Sequence, residues 1–144
     1  MPAEVILAID QGTTNTKALL VDRSGTPRFS TSAALDLIHP QPGFVEQNPN
    51  LLWTSVLDVI DACLQKAKQE DLRIAGIAIS NQRETAVAWR PGPNPQPVAN
   101  AISWQCRRSV EICNALKPHH ASMQSVTGLP VDPLASAGKW SKSN

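Results

Sequence analysis

The stretch from residue 49 to residue 80 constrains the fold more than any other. Over 49–69 a helical pattern places Leu52, Val56, Ile60, Cys63, Leu64 and Ala67 on one stripe, with Lys66, Lys68, Gln69 and Glu70 outward. Asn48 is placed to cap this helix, and Pro49 suits its first turn, where no amide hydrogen is needed. RIAGIAIS follows at 73–80, a short apolar run of strand length. A helix that feeds a strand back into a sheet begun upstream returns it parallel, as a crossover. That sheet is legible upstream. EVILAI (4–9), KALLVD (17–22) and RFSTSAAL (28–35) read as strands, and their short links, including the turn signal DRSGTP at 22–27, join them as an antiparallel meander. Meander, helix and parallel strand together make an α/β layout with a mixed sheet.

Downstream, TAVAW (85–89) and PVANAISW (97–104) read as two strands joined by the proline-rich RPGPNPQPVA at 90–99. A second helix over about 107–117 carries Val110, Cys113 and Leu116 on one side and stops before Pro118. Residues 118–144 read as mostly irregular, ending on SAGKWSKSN without a closing strand or helix.

The 144 residues suit one core, and 13 basic against 12 acidic side chains leave a formal charge of +1. That balance argues against nucleic acid or an anionic membrane as partner. The longest apolar runs, such as VILAI, are too short to span a bilayer, and no secretory signal pattern opens the chain. Cys63, Cys106 and Cys113 lack metal-ligand spacing and read as reduced thiols of a cytoplasmic protein. His39, His119 and His120 sit in proline-bordered loops and are assigned no role.

Three stretches carry chemistry. In AIDQGTTNTKALLVD (8–22), Asp10 leaves an apolar strand, where a carboxylate suits Mg²⁺ through water. Gly12 permits positive φ and close backbone approach, successive amides of such a turn form an anion site, Thr13, Thr14 and Thr16 add hydroxyls, and Lys17 adds charge. The P-loop spacing is absent. From these residues alone, a plain tight hairpin and a phosphate-holding loop are equally good readings. In GIAISNQRETAVAW (76–89), Arg83 offers a fork of donors and Glu84 offers acceptors, a set suited to a hydroxyl-rich ligand. Both reach one ligand only where the backbone bends between them, because neighbours in a strand face opposite ways. The plainer reading is a solvated surface pair. In AISWQCRRS (101–109), Trp104 suits stacking on a polyol, with Gln105 and Arg107 or Arg108 as rim. The plainer reading makes Trp104 a half-buried strand residue and Arg108 the start of a solvated helix. Nothing in the sequence marks Cys106 as a reactive thiolate.

DQGTTNTK, PGFVEQNP with LW after it, GIAISNQRETAVAW, ISWQCRR and TGLPVDP occur in this order. The ordered set resembles the N-terminal part of the FGGY carbohydrate kinases, the glycerol kinases among them, from about residue 4 to residue 140. The resemblance implies a ribonuclease-H-like fold of the actin/Hsp70-like ATPase kind, with residues 1–140 an incomplete FGGY N-terminal domain and 141–144 an unstructured tail. It implies ATP and Mg²⁺ as cofactors and a polyol or sugar as acceptor. Asp10 then corresponds to the Mg²⁺-side carboxylate, and Gly12, Thr13, Thr14, Asn15 and Lys17 to the first phosphate loop. Arg83, Glu84 and Trp104 correspond to the acceptor contacts. No residue here matches the general base, which the family carries in the missing C-terminal domain, so the chain alone is expected to be inactive. Leu134 and Ala135 stand where glycerol kinases carry an aromatic pair, which opens the acceptor to polyols or sugars other than glycerol. Two other readings compete: a truncated, non-catalytic polyol- or nucleotide-binding module or remnant, and a ribonuclease-H-like nuclease. The nuclease needs several converging carboxylates, and only Asp10 is well placed.

Overall fold

The computed structural model describes residues 2–140. The chain divides into two compact units, one of residues up to 36 with 49–82, the other of 37–48 with everything from 83 onward.

The first unit is built on strands β1 (Ala3–Gln11), β2 (Asn15–Asp22) and β3 (Pro27–Ala34), helix α1 (Pro49–Gln69) and strand β5 (Leu72–Asn81). The sheet order is β3-β2-β1-β5. β1–β2 and β2–β3 pair antiparallel, and β5 returns parallel to β1. This is the expected mixed sheet, and the expected strands and helix match to within a few residues. The β2–β3 turn is fixed by Asp22, whose carboxylate accepts hydrogen bonds from the amides of Ser24 and Thr26 and from the Ser24 hydroxyl.

The face of α1 toward the sheet is rotated from the expected stripe. Ser55, Val59, Cys63 and Ala67 are its buried residues, one every four, while Leu64 is half exposed. The close fit explains the shift: small side chains on the buried line let the helix approach Val5, Leu7, Ile9, Ala18 and Leu20. Leu7, Leu20 and Val59 are almost fully buried, each contributing about 1.5–3 kcal/mol of apolar burial. α1 ends just before Asp71, which takes a left-handed φ of 50°. The edge strand β5 leaves Ile77 and Ile79, the register partners of the buried Leu7 and Ile9, 63% and 74% exposed.

The second unit departs further from expectation. The two strands expected at 85–89 and 97–104 are reduced to fragments. An isolated bridge joins Ala86 to Ile102, β6 (Trp89–Arg90) pairs with β7 (Gln96–Pro97), and β8 (Ala101–Ile102) pairs with β4 (Glu46–Gln47). The prolines at 91, 93, 95 and 97 remove ladder donors, so no long pairing forms. Helix α2 (Val110–Leu116) forms as expected. Pro118 does not end the helical path: a 3₁₀ turn (Lys117–His119) accepts it in its first turn and leads into α3 (His120–Thr127). A short helix α4 (Ser136–Trp140) follows. The expected irregular run from 118 is thus largely helical, and the expected tail at 141–144 lies outside the described residues. Among the described residues no helix is long and apolar enough to cross a membrane.

Candidate functional site

In the first unit, residues 12–14 link two strands whose register places Gln11 opposite Thr16 and Asp10 opposite Lys17. The link closes with a 2.9 Å hydrogen bond from the Gly12 amide to the Asn15 carbonyl. A Cβ on Gly12 would stand 2.9 Å from that carbonyl oxygen. Close approach, rather than a positive φ, is what requires glycine here. Thr14 accepts from the Leu35 amide (2.9 Å), which ties the turn to the end of β3. Gln82 holds the other side: its amide donates to the Gln11 carbonyl at 2.7 Å, and its Nε2 donates to Gln11 Oε1 and to the Gly12 carbonyl, both at 3.2 Å.

Thr16 is not a ligand hydroxyl. It is fully buried, with Oγ1 2.6 Å from Ser55 Oγ. Ser55 gives its only hydroxyl hydrogen to the Leu52 carbonyl (2.8 Å), so Thr16 is the donor of the pair. Alternation along β2 then turns Lys17 to the opposite, exposed face. Asp10 shares that face, between Lys17 on one side and Ser80 on the other. A carboxylate, an ammonium and a hydroxyl thus stand in a row across three strands, beside the exposed Thr14 and Asn15 and the half-buried Thr13. No group of three or more His, Cys, Asp or Glu that could hold a metal stands among the described residues. One exposed carboxylate still fits Mg²⁺, which keeps most of its waters and takes its other ligands from phosphates.

In the second unit, Glu84 has a left-handed φ of 62°. For a side chain other than Gly, Asn or Asp this is a costly backbone state, kept only where the surroundings enforce it. It breaks the strand alternation between Arg83 and Glu84. Ser136 grips the side chain: its amide and its Oγ lie 3.1 and 3.0 Å from Glu84 Oε2. Arg83 is exposed. The Trp104 amide donates to Thr85 Oγ1 at 3.2 Å, and the residue is 38% exposed.

Arg108 is not a solvated helix residue. It forms an ion pair with Glu46, with side chains only 6% and 16% exposed, and its guanidinium stacks over Phe44 at 4.4 Å. Its Nε donates to Cys106 Sγ at 3.1 Å, and Asn100 donates to the other Glu46 oxygen at 3.0 Å. Burial works to raise the Glu46 carboxyl. The hydrogen bonds from Arg108 and Asn100, with the Arg108 charge, outweigh it and hold the group below the usual glutamate range. Burial likewise works to raise Cys106, but hydrogen bonds from the Val45 and Arg108 backbone and from the Arg108 side chain pull the thiol down. Sequence reasoning missed this cluster, as it missed Gln82, Ser136 and Lys139. The i, i+3 spacing puts Ser136 and Lys139 on one face only once 136–140 is a helix, and the sequence reads that stretch as irregular.

A model of the N-terminal domain of the FGGY family of carbohydrate kinases matches residues 5–144. A glycerol kinase of Xanthomonas euvesicatoria is 43% identical over 141 residues, and one of Listeria monocytogenes is 40% identical; each alignment covers 96% of this chain. The chain spans only 28% of the length of these curated relatives. Among solved structures, a Plasmodium falciparum glycerol kinase with ADP superposes with a TM-score of 0.90 at 27% identity, covering 96% of this chain and 28% of its own. A gluconate kinase and a xylulose kinase, both from Lactobacillus acidophilus, each score 0.84 at 27% and 28% identity. They cover 99% and 98% of this chain, and 29% of each of those chains is matched. With the mixed sheet, these likenesses give the chain the actin/Hsp70-like ATPase fold.

Proposed function

The chain belongs to the FGGY family of carbohydrate kinases, and on that premise we propose that its protein transfers the γ-phosphoryl group of ATP to a hydroxyl of a polyol or sugar. The observation that carries the reading is the Glu84 turn. A left-handed glutamate whose carboxylate is gripped from Ser136, beside an exposed arginine and a half-exposed tryptophan, is costly to build and suits recognition of adjacent hydroxyls. The carboxylate accepts from one hydroxyl, the Arg83 fork donates to others, and Trp104 covers the carbon face of the acceptor.

The hairpin supplies the phosphate side. Its row of Asp10, Lys17 and Ser80, with Thr13, Thr14 and Asn15, suits a triphosphate. When Mg²⁺ is bound with ATP, Asp10 would hold it through water, and the ion would offset the negative charge of the phosphates. Lys17 adds a positive charge, and the ladder on both sides of Asp10 fixes the main chain from which the carboxylate projects. No residue of these 144 is assigned as general base; by itself the chain is proposed to bind without efficient turnover. The acceptor is left wider than glycerol, in keeping with the gluconate and xylulose kinases among its structural neighbours. The three buried free cysteines fit a reducing compartment, and the cytoplasm is the proposed location.

The test is ADP release from Mg-ATP by the full-length gene product against a panel of three- to six-carbon polyols, sugars and sugar acids. Acceptor-dependent release, lost in Glu84→Gln, supports the reading. Binding of an acceptor without release from any full-length form would favour a binding module.

A further inference from the structure

We propose that Lys139 and Ser136 are positioning residues that hold Glu84 in its acceptor-binding conformation. The inference rests on the acceptor role given to Glu84 above and adds what keeps that residue in place. Lys139 is fully buried although it is a lysine. Its Nζ donates to the Glu84 carbonyl at 2.9 Å and to the Leu134 carbonyl at 2.7 Å. A buried ammonium is costly unless hydrogen bonded, and here it is spent on the main chain of the residue with the unfavourable φ. Ser136, one helical turn earlier, is bonded to the same residue twice over: its amide and Oγ reach Oε2, and Oγ also lies 3.2 Å from the Glu84 carbonyl. One short helix thus grips both the backbone and the carboxylate of Glu84.

The seat of that helix is equally specific. A Cβ on Gly138 would come within 3.1 Å of the Ser109 Cβ, so glycine lets α4 lie close against Ser109. Ser109 in turn donates to the Pro133 carbonyl at 3.4 Å, bracing the segment that leads into α4. Burial pulls the Lys139 amine down from its usual range, and the Arg108 charge adds to this, while the Glu84 and Cys106 charges oppose it. A fixed, poorly hydrated amine of this kind holds a carbonyl better than it would serve as a surface charge.

The experiment measures acceptor and Mg-ATP kinetics in the full-length gene product for Lys139→Met, Ser136→Ala, Ser136→Thr and Glu84→Gln. The expected result is an acceptor KM raised about tenfold or more in Lys139→Met and Ser136→Ala, with the KM for Mg-ATP unmoved and partial recovery in Ser136→Thr. A merely structural role would move both KM values or neither. If Lys139→Met does not fold, Ser136→Ala decides alone. Loss of acceptor affinity in Glu84→Gln with wild-type values in Ser136→Ala and in any folded Lys139→Met would overturn the positioning role and leave the acceptor reading standing. Unchanged affinity in Glu84→Gln would remove both.

Discussion

The hairpin after Asp10 and the turn at Glu84 are both short polar bends near a strand end, and they are held by different means. The hairpin is held by main chain. Paired residues run from Val5–Asp22 to Gln11–Thr16, and the Gly12 amide closes the loop on Asn15. The Glu84 turn has no such ladder and is held by the amide and hydroxyl of Ser136 and the amine of Lys139, more than 50 residues later. A ladder-held loop keeps its shape when one side chain is lost, and strand alternation aims what it carries. A turn held by side chains keeps a costly φ only while those groups stay in place.

The largest effect expected from this contrast lies in the second unit. Glu46→Ala leaves Arg108 buried without its carboxylate and should cost about 3 kcal/mol. By hydrogen exchange, amides around Ala86, Ile102 and α2 should lose protection while β1 and β2 keep theirs; equal loss in both would break the contrast. The pair also carries a pH dependence. The folded Glu46 carboxyl lies below its unfolded value, so the unfolded chain binds the extra proton in acid. Its contribution is whole above about pH 4.3 and is lost as pH falls through the folded value. Glu46→Gln should flatten that part of the acid-unfolding curve.

Gly12→Ala comes next. The new Cβ meets the Asn15 carbonyl oxygen that closes the turn, and the strain should cost about 2 kcal/mol. Mg-ATP affinity should fall while the acceptor KM changes little; a change in the acceptor alone would reverse the assignment of the two bends. Ser55→Ala removes the acceptor of the buried Thr16 hydroxyl and should cost about 1 kcal/mol in denaturant unfolding. Because Thr16 faces α1, nucleotide affinity should be unchanged.

The smallest effect sharpens the comparison most. Asp71 and Glu84 are the two non-glycine residues with positive φ among those described. Asp71 merely ends a helix, so Asp71→Gly should stabilise by about 0.5 kcal/mol and leave kinetics alone. Glu84→Gly also suits the backbone, yet it should abolish acceptor binding because the carboxylate is gone. If both glycine variants kept activity, the strain at Glu84 would have no functional meaning.

The first unit was largely legible in the sequence. Three strands, one helix and a parallel return follow from apolar period and short links, which are local. The rotation of α1 was not legible: Leu64 is as apolar as a core residue, but Ser55 and Cys63 fit closer to the sheet. In the second unit the prolines were visible but their consequence was not, because loss of ladder donors says where pairing fails and not what replaces it. Pro118 read as a stop and became the first turn of a 3₁₀ segment, a place where its missing amide is harmless. Asp10, Glu84 and Trp104 could be nominated as site residues by type and order, whereas Arg108 read as solvated because its partner Glu46 lies 62 residues away.

The sequence by itself determined the antiparallel meander, the helix and parallel return of the first unit, the polar hairpin and the family, since each depends on short-range pattern or on the order of motifs. Only the tertiary structure decided that Thr16 faces inward and Lys17 outward, that Arg108 is buried with Glu46, and that Lys139 and Ser136 hold Glu84. Those facts depend on which distant groups meet and on the cost of leaving a buried polar atom unpaired. Local patterns do not encode such meetings; packing selects them.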